Sequence, residues 1–488
     1  MTPSDPAPKP AASGWARWRT PAIGVVLAAY FAWFSRATLG VHFAPDEPMN
    51  LANYWNLPPW QQILGPLMPW KPLYRPMAGW FLMPILHFFG LNPVAFRVGV
   101  LVFLLATAFL LYRLSRLLGC GERAAWLAAL VACYHVGLNG LYYNTAFVFD
   151  ALCGFFFVCA LLYYVAIRER GAVLGWGQVT VFLGLCLAAL GSKEMAFTLP
   201  PVVLLYELLY RAPASWRPKD LARWLVGPGR CMVASGCLAV VCLGGRVLGE
   251  RGLMQDPGYQ PKLSMARVWD FQIRSFADLF EKWQYFGRAD IVVLWVAMFY
   301  LAWRRKRPVL RFACLCLLVT PLPIEFLIGR GGACLYIPMM FWAIFVSVVF
   351  VDIADGAAGF LAREPVFRRV GAAWLSAALI GAGVLYWAYR NADLKLQFVD
   401  PNTVDFAPET WNAIQQMKPV VPRIRPGSTV VFLNDPLGSW EMLFIAELEV
   451  LDRSVTVKVN RQTPLSAEEI AKAGCVFDYR DGRFVQVR

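Results

Sequence analysis

Charge is scarce in this chain. Of 488 residues, 16% are Asp, Glu, Lys or Arg and three are histidine, against a hydrophobic fraction of 58%. Soluble domains carry charge at nearer a quarter of their positions, so most soluble enzyme classes are excluded. Paired metal-ligand spacing is missing too. Ten of the twelve cysteines, from Cys133 to Cys334, lie inside apolar runs and read as small core residues rather than a disulfide scaffold. No cleavable leader is expected, because Arg17 and Arg19 precede an apolar segment from Pro21 to about Leu39 without a small-residue cleavage site. Internal repeats are absent, and the only biased tract is the Pro-rich first dozen residues.

What is abundant fits lipid. Aromatics make up 15% of the chain, including 20 Trp and 34 Phe, residues suited to bilayers and their interfaces. At roughly 20 apolar residues per crossing, segments near 21–40, 94–112, 124–141, 147–167, 172–190, 195–210, 231–248, 290–303, 309–328, 333–351 and 371–389 predict a polytopic α-helical membrane protein of about eleven transmembrane helices. The net charge of +14 suggests either nucleic acid or membrane orientation. Its distribution decides. With the N-terminus inside, the inner loops collect Arg113, Arg116, Arg123, Arg168, Arg170, Arg211 and the run Arg304-Arg305-Lys306-Arg307. The basic excess is an orientation signal, and no nucleic-acid partner is expected.

The expected organisation is an inner tail at 1–20, a transmembrane domain at 21–390 and an external α/β domain at 391–488. Two long external loops fall near 41–93 and 249–289. The first contains Met77 to Phe89, too short to cross and read as a helix at the outer interface. The second spaces Trp269, Phe276, Phe280 and Trp283 as an amphipathic helix would, either a lid or a segment resting on the bilayer. In the tail, Thr429–Asn434, Ser454–Val459 and Cys475–Tyr479 read as strands, with helices at Glu409–Met417 and Trp440–Val450.

Ionisable residues near a membrane are costly, so their placement is informative. Asp46, Glu47, Arg75, Arg97, Asp150, Lys193, Glu194 and Arg330, with the three histidines, all fall at external helix ends or adjoining loops. Acids, bases and imidazoles gathered at one end of a helical bundle predict a cavity at the outer leaflet. Adjacent Asp46 and Glu47 follow the first crossing, where an ionised Asp suits a general base and equally suits a cap on a short helix. Lys193 and Glu194 form a tight turn between apolar runs, either a phosphate-pairing cation with its supporting acid or a solvated turn. Arg330, in Gly329-Arg330-Gly331-Gly332, is free to approach an anion closely or to snorkel to the interface.

Taken together, Asp46-Glu47, Tyr74-Arg75-Pro76, Asp150, Ser192-Lys193-Glu194 and Arg330 with Leu335-Tyr336-Ile337-Pro338 resemble the GT-C-fold, polyprenyl-phosphate-sugar-dependent membrane glycosyltransferases. The likeness spans about residues 20 to 390 and is greatest to protein O-mannosyltransferases and bacterial aminoarabinose and mannosyl transferases. It implies transfer of a sugar, with inversion, from a lipid-phosphate donor to a lipid, glycan or protein acceptor on the external side of a bacterial inner membrane. By position, Asp46 is the implied base and Glu47 its companion. Lys193 and Arg330 are implied at the donor phosphate, and Arg75, Asp150, Glu194 and Tyr336 in substrate contacts. No cofactor is implied; the divalent metal of the oligosaccharyl branch accompanies an Asp-x-Asp element missing from this chain. The tail resembles neither the β-trefoil insert of eukaryotic protein mannosyltransferases nor the larger soluble domains of oligosaccharyltransferases.

Two other classes compete: a transporter or flippase with a charged external vestibule, and a non-catalytic assembly protein. The first predicts intramembrane charge or broken helices in two matching halves, a pattern the sequence does not display. Single cysteines introduced as Asp46→Cys and Lys193→Cys should react with an impermeant thiol reagent from outside intact cells; labelling from the cytoplasmic side overturns the topology.

Overall fold

The computed structural model describes residues 14–71, 73–213, 215–248, 257–281, 286–399, 407–437 and 441–488. Its principal membrane-part helices are α1 (Gly14–Ser35), α2 (Asp46–Trp55), α3 (Met77–Phe89), α4 (Pro93–Leu117), α5 (Glu122–Cys133), α6 (Val148–Glu169) and α7 (Trp176–Ser192). They continue with α8 (Leu199–Tyr210), α9 (Arg230–Leu248), α10 (Met265–Leu279), α11 (Arg288–Arg304), α12 (Pro308–Val319), α13 (Tyr336–Leu361) and α14 (Ala372–Leu394). Local chemistry sets several of their ends. Pro93 opens α4 behind Asn92, whose side chain accepts from Val94 N at 3.1 Å, and Pro308 opens α12, positions where proline's missing N–H costs nothing.

Every apolar segment expected to cross contains a helix, though several are helical over only part of their length. Among the described residues, six helical stretches are long and apolar enough to span a membrane: Pro21–Gly40, Pro93–Leu117, Thr145–Glu169, Pro308–Glu325, Gly332–Leu361 and Ala372–Gln397. The count is seven if Pro218–Val226 and Arg230–Arg246, bent by 72°, form one span. The other helices are shorter because they break. The expected segment 124–141 is helical only to Cys133; Tyr134 is extended, and a 3₁₀ turn Val136–Leu138 and a short helix Gly140–Tyr143 follow. Gly137 in that break touches the last turn of α10, where an added Cβ would lie 2.2 Å from the Asp278 carbonyl oxygen, so only glycine fits.

Helix α13 is the central element. The most apolar window of Gly332–Leu361 is 83% buried, against 6% for Ala372–Gln397, so α14 packs at the periphery of the bundle. Gly154 lets α6 approach α13, since a Cβ there would meet the Tyr336 ring at 2.6 Å. Helix α10 carries Trp269 and Phe276 as expected, but Phe271, Phe276 and Leu279 are buried against the bundle. It is docked on protein and does not rest freely on a bilayer. Trp283 lies outside the described residues.

Two buried ion pairs tie the helices together at opposite ends. Arg168 of α6 and Glu207 of α8 bond at 2.7 and 2.9 Å, with the Tyr164 hydroxyl donating to Glu207 at 2.8 Å. Arg97 of α4 holds Glu47 of α2 at 2.6 and 3.0 Å, both side chains 1% exposed.

The tail forms a four-stranded sheet in the order β2-β1-β3-β4, from β1 (Thr429–Phe432), β2 (Thr456–Val459), β3 (Cys475–Arg480) and β4 (Arg483–Gln486). The first three strands are parallel and β4 is antiparallel to β3. Helices α15 (Ala407–Met417), α16 (Glu441–Val450) and α17 (Ala467–Lys472) connect and cover them. The three expected strands and two expected helices are present; Trp440, expected to open α16, lies outside the described residues. Unforeseen are α17 and β4, each too short to show a period. The tail grips α2: His42 stacks on Trp411 at 4.9 Å, Asn56 donates to Glu447 at 3.0 Å, and Arg453 donates to the Trp55 and Leu57 carbonyls at 2.5 and 3.0 Å.

Arg97→Met strands the buried Glu47 carboxylate and is expected to cost about 3–5 kcal/mol, read as a loss of thermal stability of the purified protein. Adding Glu47→Met should recover most of it; no recovery in the double variant would show that the two groups are not coupled.

Candidate active site

The sequence places most of its candidate residues around one cavity of about 640 Å³ at the end of the bundle near α2. Lys193 and Asp150 form its floor. Helix α7 stops at Ser192, and Lys193 takes an extended backbone (φ −160°, ψ 156°) that sends its ammonium toward α6. There Nζ donates to both Asp150 oxygens, at 2.7 and 2.6 Å, and lies 3.3 Å from the Cys334 thiol. Both charged side chains are under 10% exposed. Burial alone would lower the Lys193 pKa, but the adjoining Asp150 carboxylate outweighs it and holds the ammonium charged. Cys334, expected as a plain core residue, lines this wall.

Arg75 and Glu194 form the side. Arg75 has φ 42°, a left-handed conformation that is uncommon outside glycine, and Tyr54 of α2 donates to its carbonyl at 3.0 Å. Its guanidinium lies 4.7 Å from the Tyr74 ring and 4.9 Å from that of Phe149. It donates to Glu194 at 3.0 Å, to the Tyr74 hydroxyl at 2.7 Å and to the Tyr259 hydroxyl at 3.3 Å. Arg246 donates to the other Glu194 oxygen at 2.9 Å. Burial alone would raise the Glu194 pKa, yet the Arg75 and Arg246 guanidiniums pull it down to about 2.

Two lining groups are left over. Asp46 opens α2, is exposed to the cavity and, among the described residues, has neither a hydrogen bond nor an ion pair. The capping alternative is not realised, since no side chain caps α2. Arg330 stacks over Tyr259 at 4.5 Å and, among the described residues, has no carboxylate partner. Its flank Gly329 has φ 66° and Gly332 φ 51°, and the Gly332 N–H donates to Asp278 at 2.9 Å.

Two expected site residues face elsewhere. Glu47 does not line this cavity; besides Arg97 it accepts from the Thr145 N–H at 2.5 Å and from the Ala44 N–H. The reason is helical geometry, which turns successive side chains by roughly 100°: with Asp46 outward, Glu47 points into the protein. Tyr336, the first residue of α13, is 2% exposed and packed on Gly154, behind the wall and away from the lining. The sequence reading missed Tyr259 and the pairing role of Arg246. Neither has a local signal, because Tyr259 sits in a loop 184 residues from Arg75 and Arg246 meets Glu194 only through packing.

No protein-family model and no curated protein matches this chain. Solved structures do. The oligosaccharyltransferase AglB of Archaeoglobus fulgidus, in complex with an inhibitory peptide and a dolichol-phosphate, is 13% identical over 96% of this chain and 70% of its own, with a TM-score of 0.54. The apo form of the A. fulgidus enzyme is 11% identical over 91% of this chain, with a TM-score of 0.52, and the chain spans 65% of its length. ArnT from Cupriavidus metallidurans, bound to undecaprenyl phosphate, aligns over 98% of both chains at 16% identity and a TM-score of 0.47. The architecture is that of a multi-pass GT-C membrane protein.

Because its pKa in the folded state is depressed from 4.5 to about 2, Glu194 contributes stability that is complete above pH 4.5 and lost as pH falls toward 2. Glu194→Gln should flatten the fall in thermal midpoint across that window; an unchanged slope would show that the carboxylate is not held by Arg75 and Arg246.

Proposed function

We propose that this chain is a membrane glycosyltransferase that moves a sugar from a polyprenyl-phosphate donor to an acceptor, with inversion. One observation carries the reading: a single cavity gathers Asp46, Arg75, Asp150, Lys193 and Arg330, of which one anion and one cation have no counter-charge among the described residues. That imbalance suits the reaction. Asp46 takes the proton of the acceptor hydroxyl as its oxygen attacks the anomeric carbon. The bond from that carbon to the phosphate oxygen breaks on the opposite face. Arg330, which among the described residues has no carboxylate partner, stabilises the departing lipid phosphate in a site of low dielectric. Lys193 and Arg75, held rigidly by Asp150 and Glu194, present further donors. Glu47 serves by orienting α2.

The metal-free reading is favoured by the donor set. Asp150 and Glu194 are committed to cations, leaving Asp46 as the only carboxylate available to an ion among the described lining residues, and divalent ions at phosphate sites usually take more oxygen ligands. Dolichol-phosphate on AglB, which shares the fold, accords with a lipid-phosphate donor here. We place the cavity on the external face of a bacterial inner membrane, with the shorter helices completing about eleven crossings and the sheet domain outside. The sugar is a hexose or pentose, and the acceptor a lipid, glycan or protein.

Asp46→Asn should lower transfer from a polyprenyl-phosphate sugar in membranes by about 10²–10⁴-fold. Arg330→Gln should lower it by about 10²–10³-fold, with the protein still folded. Unchanged transfer in Asp46→Asn removes the base assignment.

A further inference from the structure

Arg330 carries the cavity's unmatched positive charge, yet its own backbone does little to hold it in place. It stands between Gly329, at φ 66°, and the pair Gly331-Gly332, with Gly332 at φ 51°, and glycine leaves a chain more freedom than any other residue. Among the described residues its side chain has neither a hydrogen bond nor an ion pair, and one ring, that of Tyr259 at 4.5 Å, meets its guanidinium. The other two cations lining the cavity are held by carboxylates: Lys193 by Asp150 and Arg75 by Glu194.

Tyr259 is itself fixed. It closes the 3₁₀ turn Pro257–Tyr259, and its hydroxyl accepts from Arg75 Nη2 at 3.3 Å. Three residues later the Lys262 N–H donates to the Phe326 carbonyl at 2.9 Å, which ties this turn to the segment leading into Arg330. One phenol thus serves two cations in different ways. Its oxygen takes the Arg75 hydrogen bond, while its ring face lies against Arg330. The use of a ring in place of a carboxylate has a chemical consequence. A carboxylate would hold Arg330 and cancel its charge. A π face attracts the guanidinium through the ring quadrupole and leaves both the charge and the N–H donors unspent. We propose that Tyr259 is a positioning residue, which holds Arg330 ready for the donor phosphate without neutralising it. The proposal rests on the transfer reading given above and adds to it the means by which the unmatched cation keeps a fixed place.

The test uses the full chain in phospholipid nanodiscs, with farnesyl phosphate as the probe and its dissociation constant read by calorimetric titration. Arg330→Gln should weaken binding by about tenfold or more, the loss of a charged hydrogen-bond donor. Tyr259→Leu should weaken it by about tenfold, while Tyr259→Phe, which gives up the hydroxyl but keeps the ring, should stay within about twofold of the parent. Tyr259→Leu combined with Arg330→Gln should bind as Arg330→Gln alone does, because a ring acting only through Arg330 has nothing left to place. Phenylalanines of increasing fluorination at position 259 keep the ring's shape while draining its face, and should weaken binding stepwise; they decide the matter if Tyr259→Leu does not fold. The Tyr259 proposal is overturned, with the transfer reading left standing, if Tyr259→Leu or the fluorinated series binds as the parent does, if Tyr259→Phe loses as much as Tyr259→Leu, or if the losses in the double variant multiply. If Arg330→Gln itself binds farnesyl phosphate as the parent does, the phosphate role of Arg330 falls and this proposal falls with it.

Discussion

The ion pair between Glu47 and Arg97 is the constraint on which the active-site end depends. Both side chains are 1% exposed, and removing such ions from water costs several kcal/mol each. The surroundings offset that cost. Glu47 also accepts from the Thr145 and Ala44 N–H groups, while Arg97 donates to the Thr145 hydroxyl at 2.8 Å and the His42 carbonyl at 2.9 Å. The loop after α1, α4 and the turn before α6 are thereby fixed at one point. The rotation of α2 is fixed with them, and so is the direction of Asp46.

The same rule, that buried charge must be matched, organises the cavity. Lys193 is matched by Asp150, while Glu194 is matched twice, by Arg75 and Arg246. These pairs are rigid because each member is held by more than one contact, and Arg75 is further clasped between aromatic rings. Asp46 and Arg330, of opposite sign and on elements far apart in sequence, meet no opposite charge among the described residues, and the proposed transfer draws on that available charge.

The helices were legible because long apolar runs have few alternatives in a membrane, and the site residues because charge within such sequence stands out. Asp150, Lys193 and Arg330 could be singled out one by one. Their pairing could not: Asp150 and Lys193 are 43 positions apart and Arg75 and Glu194 119, and no periodicity specifies which acid a given base will meet. Adjacency in sequence suggests shared function for Asp46 and Glu47, whereas helical rotation separates them and turns Glu47 to Arg97. Tyr336 drew attention through its motif, yet its ring is packed on Gly154. The full tail sheet was only partly legible, since β4 has four residues and pairs through a tight turn with β3.

The grip of the sheet domain on α2 has a mechanical meaning. This ten-residue helix, roughly 15 Å long at 1.5 Å per residue, is pinned at its start by the Glu47 ion pair and at its end by Arg453 and Glu447 of the tail. It acts as a short strut between the membrane bundle and the sheet domain, with Asp46 at the bundle end. The tail is therefore not a detachable appendage. Exchanging it for another domain would alter the seating of a residue that faces the charged cavity, and changes in the two parts are coupled through one helix.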